Sequence, residues 1–280
     1  MAISAVAPSL AAAGPNVSLE LDSPELAATY DEVGTRQFNH GKVLLQSVGV
    51  HAGDRVLDVG CGTGRLGQYV ADLVGPEGAV SGIDSLPLRV EIAARKHPRF
   101  RVSVGRAEDL SQFSDQSFDL VYANSVFHWI ADKPRALREA LRVLVPGGRL
   151  AVNSADGDHA HQSAALVRDA LLEEGLSNAA SARESGHNYR VNATEFHALL
   201  ESAGFRQVVV SGHTFVDDVG GADDLIRWSS SSSFGNFLTE LDPSQRQRVR
   251  DRLESKLQAR RGARGIQLER YLVFAVARRP

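Results

Sequence analysis

A doubly wound α/β fold follows from three observations along this 280-residue chain. Between residues 54 and 155, short apolar runs alternate with stretches at helical spacing, the pattern of a mostly parallel sheet covered by helices on both faces. The first apolar run, "RVLDV", breaks directly into "GCGTG", a glycine loop that opens the next helix. The last part of the chain returns twice to strand-like sequence, "FRQVVVSGHTF" and "RYLVFAVARR", which brings the expected sheet to seven strands.

The elements follow in order. "MAISAVAPSLAAAGP" is Ala-rich and lacks a basic start and a strong apolar core, so residues 1–20 are expected to form a flexible tail and not a signal peptide. Residues 21–50 carry apolar residues at helical spacing, with breaks expected at Gly34 and Gly41. In the core, residues 51–155, "DRVLDV", "GAVSGID", "FRVSVG", "SFDLVYANS" and "GGRLAVNSA" read as strands. "TGRLGQYVADLV", "PLRVEIAARKH" and "KPRALREALRVL" read as the helices between them, with Pro87 at a helix start where its missing N–H costs nothing. "GPEG" at 75–78 and "PGG" at 146–148 read as turns. In 156–280 two helix-rich stretches, one before each late strand, are expected to cap the carboxyl ends of the sheet.

Composition narrows the function classes. A net charge of −3 gives no general case for nucleic acid or an acidic membrane surface. The basic stretch "RQRVRDRLESKLQARRGAR" is interleaved with acids and reads as a solvated helix face. One cysteine, Cys61, allows no internal disulfide, and no apolar run approaches the ~20 residues of a membrane span. A cytoplasmic protein is expected, with a small-molecule substrate, no nucleic-acid or membrane partner, and a monomeric or homodimeric state. His159, His161, His187 and His213 lack companion ligands at a metal-site spacing, so no metal is expected.

The glycine loop reads in two frames. Gly62, Gly64 and Gly67 give G-x-G-x-x-G, and Asp84 stands 20 residues after Gly64, both features of a dinucleotide site. Gly60, Gly62 and Gly64 give G-x-G-x-G with Asp58 just before it. A carboxylate there would repel a pyrophosphate by several kcal/mol at ~4 Å. It would attract a cation, and S-adenosylmethionine carries an ammonium and a sulfonium but no phosphate.

"VLDVGCGTG", "SGIDSLPLRV", "GRAEDLSQFSDQSFDLVYANSVFHW" and "ALREALRVLVPGGRLAV" together resemble, in order, the motifs of class I S-adenosylmethionine-dependent methyltransferases of the small-molecule, type 11-like kind. The resemblance spans about residues 50–155 and implies a Rossmann-like sheet, the methyl-donor cofactor and a role in secondary metabolism. It places Asp58, Gly60, Cys61 and Gly62 in the cofactor loop and Asp84 on the ribose hydroxyls, with Ser85 and Leu86 along the adenosine. Ala107 and Glu108 fall beside the adenine, and Asn124 and Ser125 toward the methionine part. Tyr30 and Gln37 of the N-terminal helices close over the cofactor.

His128 and Trp129 directly follow the fourth strand, where an acceptor must meet the methyl group. His128 is therefore a candidate base for a hydroxyl, thiol or amine; the alternative is that it donates to the backbone while Trp129 packs under the cofactor. Tyr189, Arg190, Arg227 and Trp228 in the late segments are candidate acceptor ligands. The expected activity is methyl transfer to an O or S atom of a small metabolite in an enclosed pocket. A cofactor-binding regulator without turnover and an NAD-dependent oxidoreductase are the alternatives. Arsenic methylation is disfavoured, since the resemblance to those enzymes calls for several cysteines.

Overall fold

A computed structural model of the protein describes residues 23–179, 189–231, 238 and 241–280; the expected 1–20 tail and His187 lie outside the described residues. Seven strands form one sheet in the order β3-β2-β1-β4-β5-β7-β6. They are β1 (Arg55–Val59), β2 (Ala79–Asp84), β3 (Phe100–Val104), β4 (Phe118–Ala123), β5 (Leu144–Ala155), β6 (Arg206–Val219) and β7 (Ile266–Arg278). The first five pair in parallel, and β7 enters antiparallel between β5 and β6. The order reverses between β1 and β4, which opens a crevice at their carboxyl ends.

The core helices are α1 (Pro24–Val33), α2 (Thr35–Val48), α3 (Arg65–Val74), α4 (Pro87–Lys96) and α5 (Lys133–Val143). They are followed by α6 (Gln162–Glu173), α7 (Ala193–Ser202), α8 (Ala222–Ser231) and α9 (Pro243–Gln258). Alternation within β1 explains the two cores. Leu57 and Val59 point toward α5 and α7, where Leu137, Ala140, Phe196 and Leu200 fill one face. Val56 points the other way, into Leu44, Leu45, Val70 and Val74 of α2 and α3. Asp132 caps α5 by accepting from the Arg135 N–H at 3.0 Å.

Three expectations are corrected. Gly41 does not break a helix; it lies inside α2, where an added Cβ would sit 2.4 Å from Leu66 Cδ2. Its missing side chain lets α2 approach α3, so the glycine serves packing and not chain reversal. The "PGG" segment is not a turn ahead of the fifth strand but an irregularity within β5. Leu144 faces Phe118 and Arg149 faces Leu120, so Pro146–Gly148 bulges out of register. Finally, only part of the late sequence caps the strand ends. Residues of α6, α8 and α9 form a separate apolar cluster with Val219, Ile266 and Leu268, whereas α7 packs on the sheet face through Phe196. No helix among the described residues is long and apolar enough to cross a membrane.

Replacing Gly41 by Val should overpack the α2–α3 contact and cost about 1–3 kcal/mol of stability. Urea unfolding checks this; an unchanged midpoint would mean that α2 does not depend on the close approach.

Candidate functional site

The crevice at the β1–β4 switch opens into a cavity of about 490 Å³. Its floor is the glycine loop, where Gly60, Gly62 and Gly64 all take positive φ (77°, 55° and 85°). A Cβ at Gly60 would also lie 2.2 Å from Val126 Cγ2. Hydrogen bonds within the protein consume the N–H groups of this loop. Gly60 and Cys61 donate to the Ile83 carbonyl at 2.7 and 2.9 Å, and Gly64 donates to Cys61 O at 3.0 Å. Gly62 donates to Asp84 Oδ2 at 2.8 Å, while Asp84 Oδ1 accepts from the Leu86 N–H at 3.0 Å.

That bonding separates the two cofactor frames. A pyrophosphate needs N–H donors from the loop and helix start, and four of them already have acceptors. A carboxylate that spends one lone pair per oxygen on the backbone still has acceptor capacity for a diol. Leu86, Ile83 and Ala107 supply apolar walls beside it. The residues present thus fit S-adenosylmethionine, while four of the loop donors that a pyrophosphate would use are already engaged.

The expected residues divide cleanly. Tyr30, Gln37, Gly60, Asp84, Ser85, Leu86, Ala107, Glu108, Asn124 and Ser125 line the cavity, as do His128, Trp129, Arg190 and Trp228. Asp58, Cys61 and Gly62 do not. Asp58 is 2% exposed and accepts from the Tyr122 hydroxyl at 2.6 Å. Burial, with the Asp84 charge adding to it, pushes its carboxyl up to about 7, against the Tyr122 hydrogen bond. The direct electrostatic role expected of Asp58 is therefore replaced by a buried one under the loop. Cys61 is buried, and burial raises its thiol well above the ordinary range. Gly62 lies against the Tyr30 ring, over which the Arg89 guanidinium stacks at 3.9 Å. Tyr189 and Arg227 also fall away from the cavity. Tyr189 packs against the ammonium of Lys133, and Arg227 pairs with Glu32 on α1 at the surface.

The exit of β4 is held by an amide relay. Ser125, at φ 60°, donates its N–H to Asn153 Oδ1 at 2.5 Å, and Asn153 donates to Asn124 Oδ1 at 2.7 Å. Asn124 in turn donates to the Gln37 carbonyl at 3.0 Å, linking β4, β5 and α2. A left-handed serine costs about 1–3 kcal/mol, a strain the surrounding hydrogen bonds maintain.

Sequence reasoning missed the opposite end of the cavity. His161, Arg168, Arg270 and His40 line it. Arg270 is buried and held by Asp217 through Nε at 2.8 Å and Nη2 at 2.6 Å, under the Trp228 ring at 4.4 Å. His40 is driven down to about 3 by burial and by the Arg270 charge, with Asp217 opposing. His161 is pushed well below its usual range by burial and by Arg270 and Arg190. Arg190 is half-buried; burial depresses its guanidinium and the nearby Asp156 carboxylate opposes this, with no ion pair at contact distance among the described residues. A basic residue interrupting the apolar β7 pattern "LERYLVFAV" was the available signal for Arg270.

Two histidines have defined tautomers. The Ala155 N–H donates to His128 Nδ1 at 3.2 Å, and the Tyr271 N–H donates to His161 Nδ1 at 3.2 Å. Each neutral ring therefore carries its proton on Nε2 and acts there as a donor. For His128 this corrects the candidate base: its lone pair is engaged by the backbone. No group of three or more metal-ligating side chains occurs among the described residues.

Residues 50–204 match the family described as a methyltransferase domain. The chain is 29% identical over 231 residues to a trans-aconitate 2-methyltransferase of Deinococcus radiodurans, covering 81% of this chain and 87% of that protein. An arsenite methyltransferase of Aquipseudomonas alcaligenes is 36% identical over 138 residues, covering 45% and 39% of the two chains. Phosphoethanolamine N-methyltransferase 2 of Haemonchus contortus, solved with S-adenosyl-L-methionine, shares the fold at TM-score 0.59 and 19% identity, covering 92% of this chain and 57% of that one.

A carboxyl whose folded pKa is raised from 3.8 to about 7 stabilises the fold at low pH and loses that contribution as pH rises through 7. Asp58→Asn keeps an acceptor for Tyr122 but cannot ionise. Its melting temperature relative to the parent should therefore climb between pH 5 and pH 8, by at most the equivalent of a few kcal/mol. A difference that stays flat across this range would show that Asp58 is already ionised at pH 5.

Proposed function

Because the chain belongs to the class I S-adenosylmethionine-dependent methyltransferases, what is left to assign is the acceptor, and we propose a small carboxylic acid methylated on a carboxylate oxygen. The observation that carries this reading is Arg190, a half-buried cation on the cavity wall with no ion pair among the described residues. A planar guanidinium matches the two oxygens of a carboxylate. The Nε2–H donors of His128 and His161 and the Arg270 charge add to a donor-rich surface at the same end. The similarity to a trans-aconitate 2-methyltransferase over 81% of this chain supports the same acceptor class.

When bound, the cofactor supplies an electrophilic methyl group on a sulfonium. Asp84 would accept from the ribose hydroxyls, with Ser85 and Leu86 along the adenosine and Ala107 and Glu108 beside the adenine. Asn124 and Ser125 would meet the methionine part, held in place by the relay from Asn153, and Tyr30 and Gln37 would close the other side. Arg190 would orient the acceptor carboxylate toward the methyl group, and the α6–α8 cap would exclude water. Arg190 would leave one carboxylate oxygen free to take the methyl group, whose bonding pair to sulfur would stay on the departing thioether. A carboxylate is already deprotonated at neutral pH, so this chemistry needs no general base. That agrees with a His128 that offers a proton instead of a lone pair. A thiol acceptor would need the opposite arrangement.

Labelled S-adenosylmethionine offered with panels of small carboxylic acids, thiols and alcohols should yield label in base-labile methyl esters. Arg190→Ala should raise KM for the acid on the order of 10-fold or more with a smaller change in kcat, and Arg190→Lys should recover only part of it. Label entering thiols and not acids would overturn the assignment.

A further inference from the structure

β6 ends the sheet, and no strand of the described residues pairs with its outer edge. The strand is long, 14 residues, and its middle reads "VVVSGHTFV" at 208–216 with neither Pro nor Lys. Val209 and Val216 are 60% and 56% exposed. Natural sheet edges of this length are normally protected by charge, proline or a covering element. Here one face of β6 is packed by α7, and no described strand covers the edge.

We propose that the protein is a homodimer in which two β6 edges pair antiparallel about Gly212, joining two sheets into one. The sequence is self-complementary about that glycine. A two-fold axis at Gly212 sets Val208 opposite Val216, Val209 opposite Phe215, Val210 opposite Thr214 and Ser211 opposite His213 of the second copy. Such cross-strand apolar and small polar pairs are the units that stabilise a sheet. Beyond this segment each copy carries Arg206 at one end and Asp217 and Asp218 at the other, so opposite charges flank both ends of the pairing. Moving the axis by one residue toward His213 would set Val209 against Asp217 and Val208 against Asp218. Moving it toward Ser211 would set Val209 against His213 and Arg206 against Val216.

Both ends of the ladder are marked in the fold. On one side Gln207 takes φ 52° and β6 shifts register against β7 between Arg206 and Val209. On the other, the Arg36 guanidinium donates to the Asp218 carbonyl at 2.9 Å and occupies it. Antiparallel symmetry brings the first end of one copy to the second end of the other, leaving Val208–Val216 as the shared segment.

Sedimentation of the full chain should give twice the chain mass over a range of concentrations. Val209→Lys and Val216→Lys, at exposed positions, should sediment as monomers that still bind S-adenosylmethionine in calorimetry. Gly212→Cys tests the register without disturbing the edge, since nothing lies within 4 Å of its added Cβ and Cys61 is buried. Opposed Cα atoms about 4.5–5.5 Å apart fall within disulfide range, so mild oxidation should yield a covalent dimer. Thr214→Cys should not crosslink, because symmetry separates its copies by four residues, about 13 Å along the strands. A monomeric parent protein, a dimer that survives both lysine substitutions, or crosslinking at Thr214 but not Gly212 would each overturn the proposal.

Discussion

The carboxylate of Asp84 ties the end of β2 to the glycine loop, and the chemistry of the cavity depends on that tie. By accepting from Gly62 and Leu86, it fixes the loop against the next helix start and takes up a donor that a phosphate would otherwise use. The Ile83 carbonyl consumes two more loop donors. The resulting floor has little to offer an anion and presents a carboxylate to a neutral or cationic ligand. Asp58 sits one layer deeper, bonded to Tyr122, so that burial and not ligand contact sets its ionisation. The loop's glycines are needed for backbone conformation and for close packing under Val126 and Tyr30.

Charged groups line the cavity on both sides. Asp84, with Arg89 nearby, and the Arg106–Glu108 pair stand on the side of β2 and β3, while Arg190, Arg270 and two Nε2–H imidazoles stand under the cap. A buried cation is costly unless paired, and Asp217 supplies the pair for Arg270. Arg190 makes no ion pair at contact distance among the described residues; burial depresses its guanidinium and only the Asp156 charge opposes this. An anionic acceptor would oppose it further.

β6 connects these features. Its residue Asp217 holds Arg270 on β7, Phe215 packs against His40 with ring centroids 4.2 Å apart, and its outer edge carries the self-complementary segment. A strand that positions a cavity cation thus also carries the open edge of the sheet. Pairing along that edge would restrict the strand's motion without touching the cavity.

The alternation of strands and helices, the glycine loop and Asp84 were legible in the sequence because they are local: each depends on residues adjacent in the chain and on period or spacing. Leu86, Ala107, Asn124 and Ser125 were placed by the resemblance to the methyltransferase motifs, and they line the cavity just after strand ends. Tertiary structure decided what depends on distant partners. Gly41 looked like a helix break until Leu66 appeared beside it, and Asp58 looked like a ligand until Tyr122, 64 residues away, claimed it. His128 could be read as a base because its sequence neighbours do not reveal that the Ala155 N–H donates to Nδ1. Arg270 was missed for the same reason, and nothing in the chain singled out His161 from the other histidines of the late segments: burial and charge at a cavity wall are sums over side chains that only folding brings together.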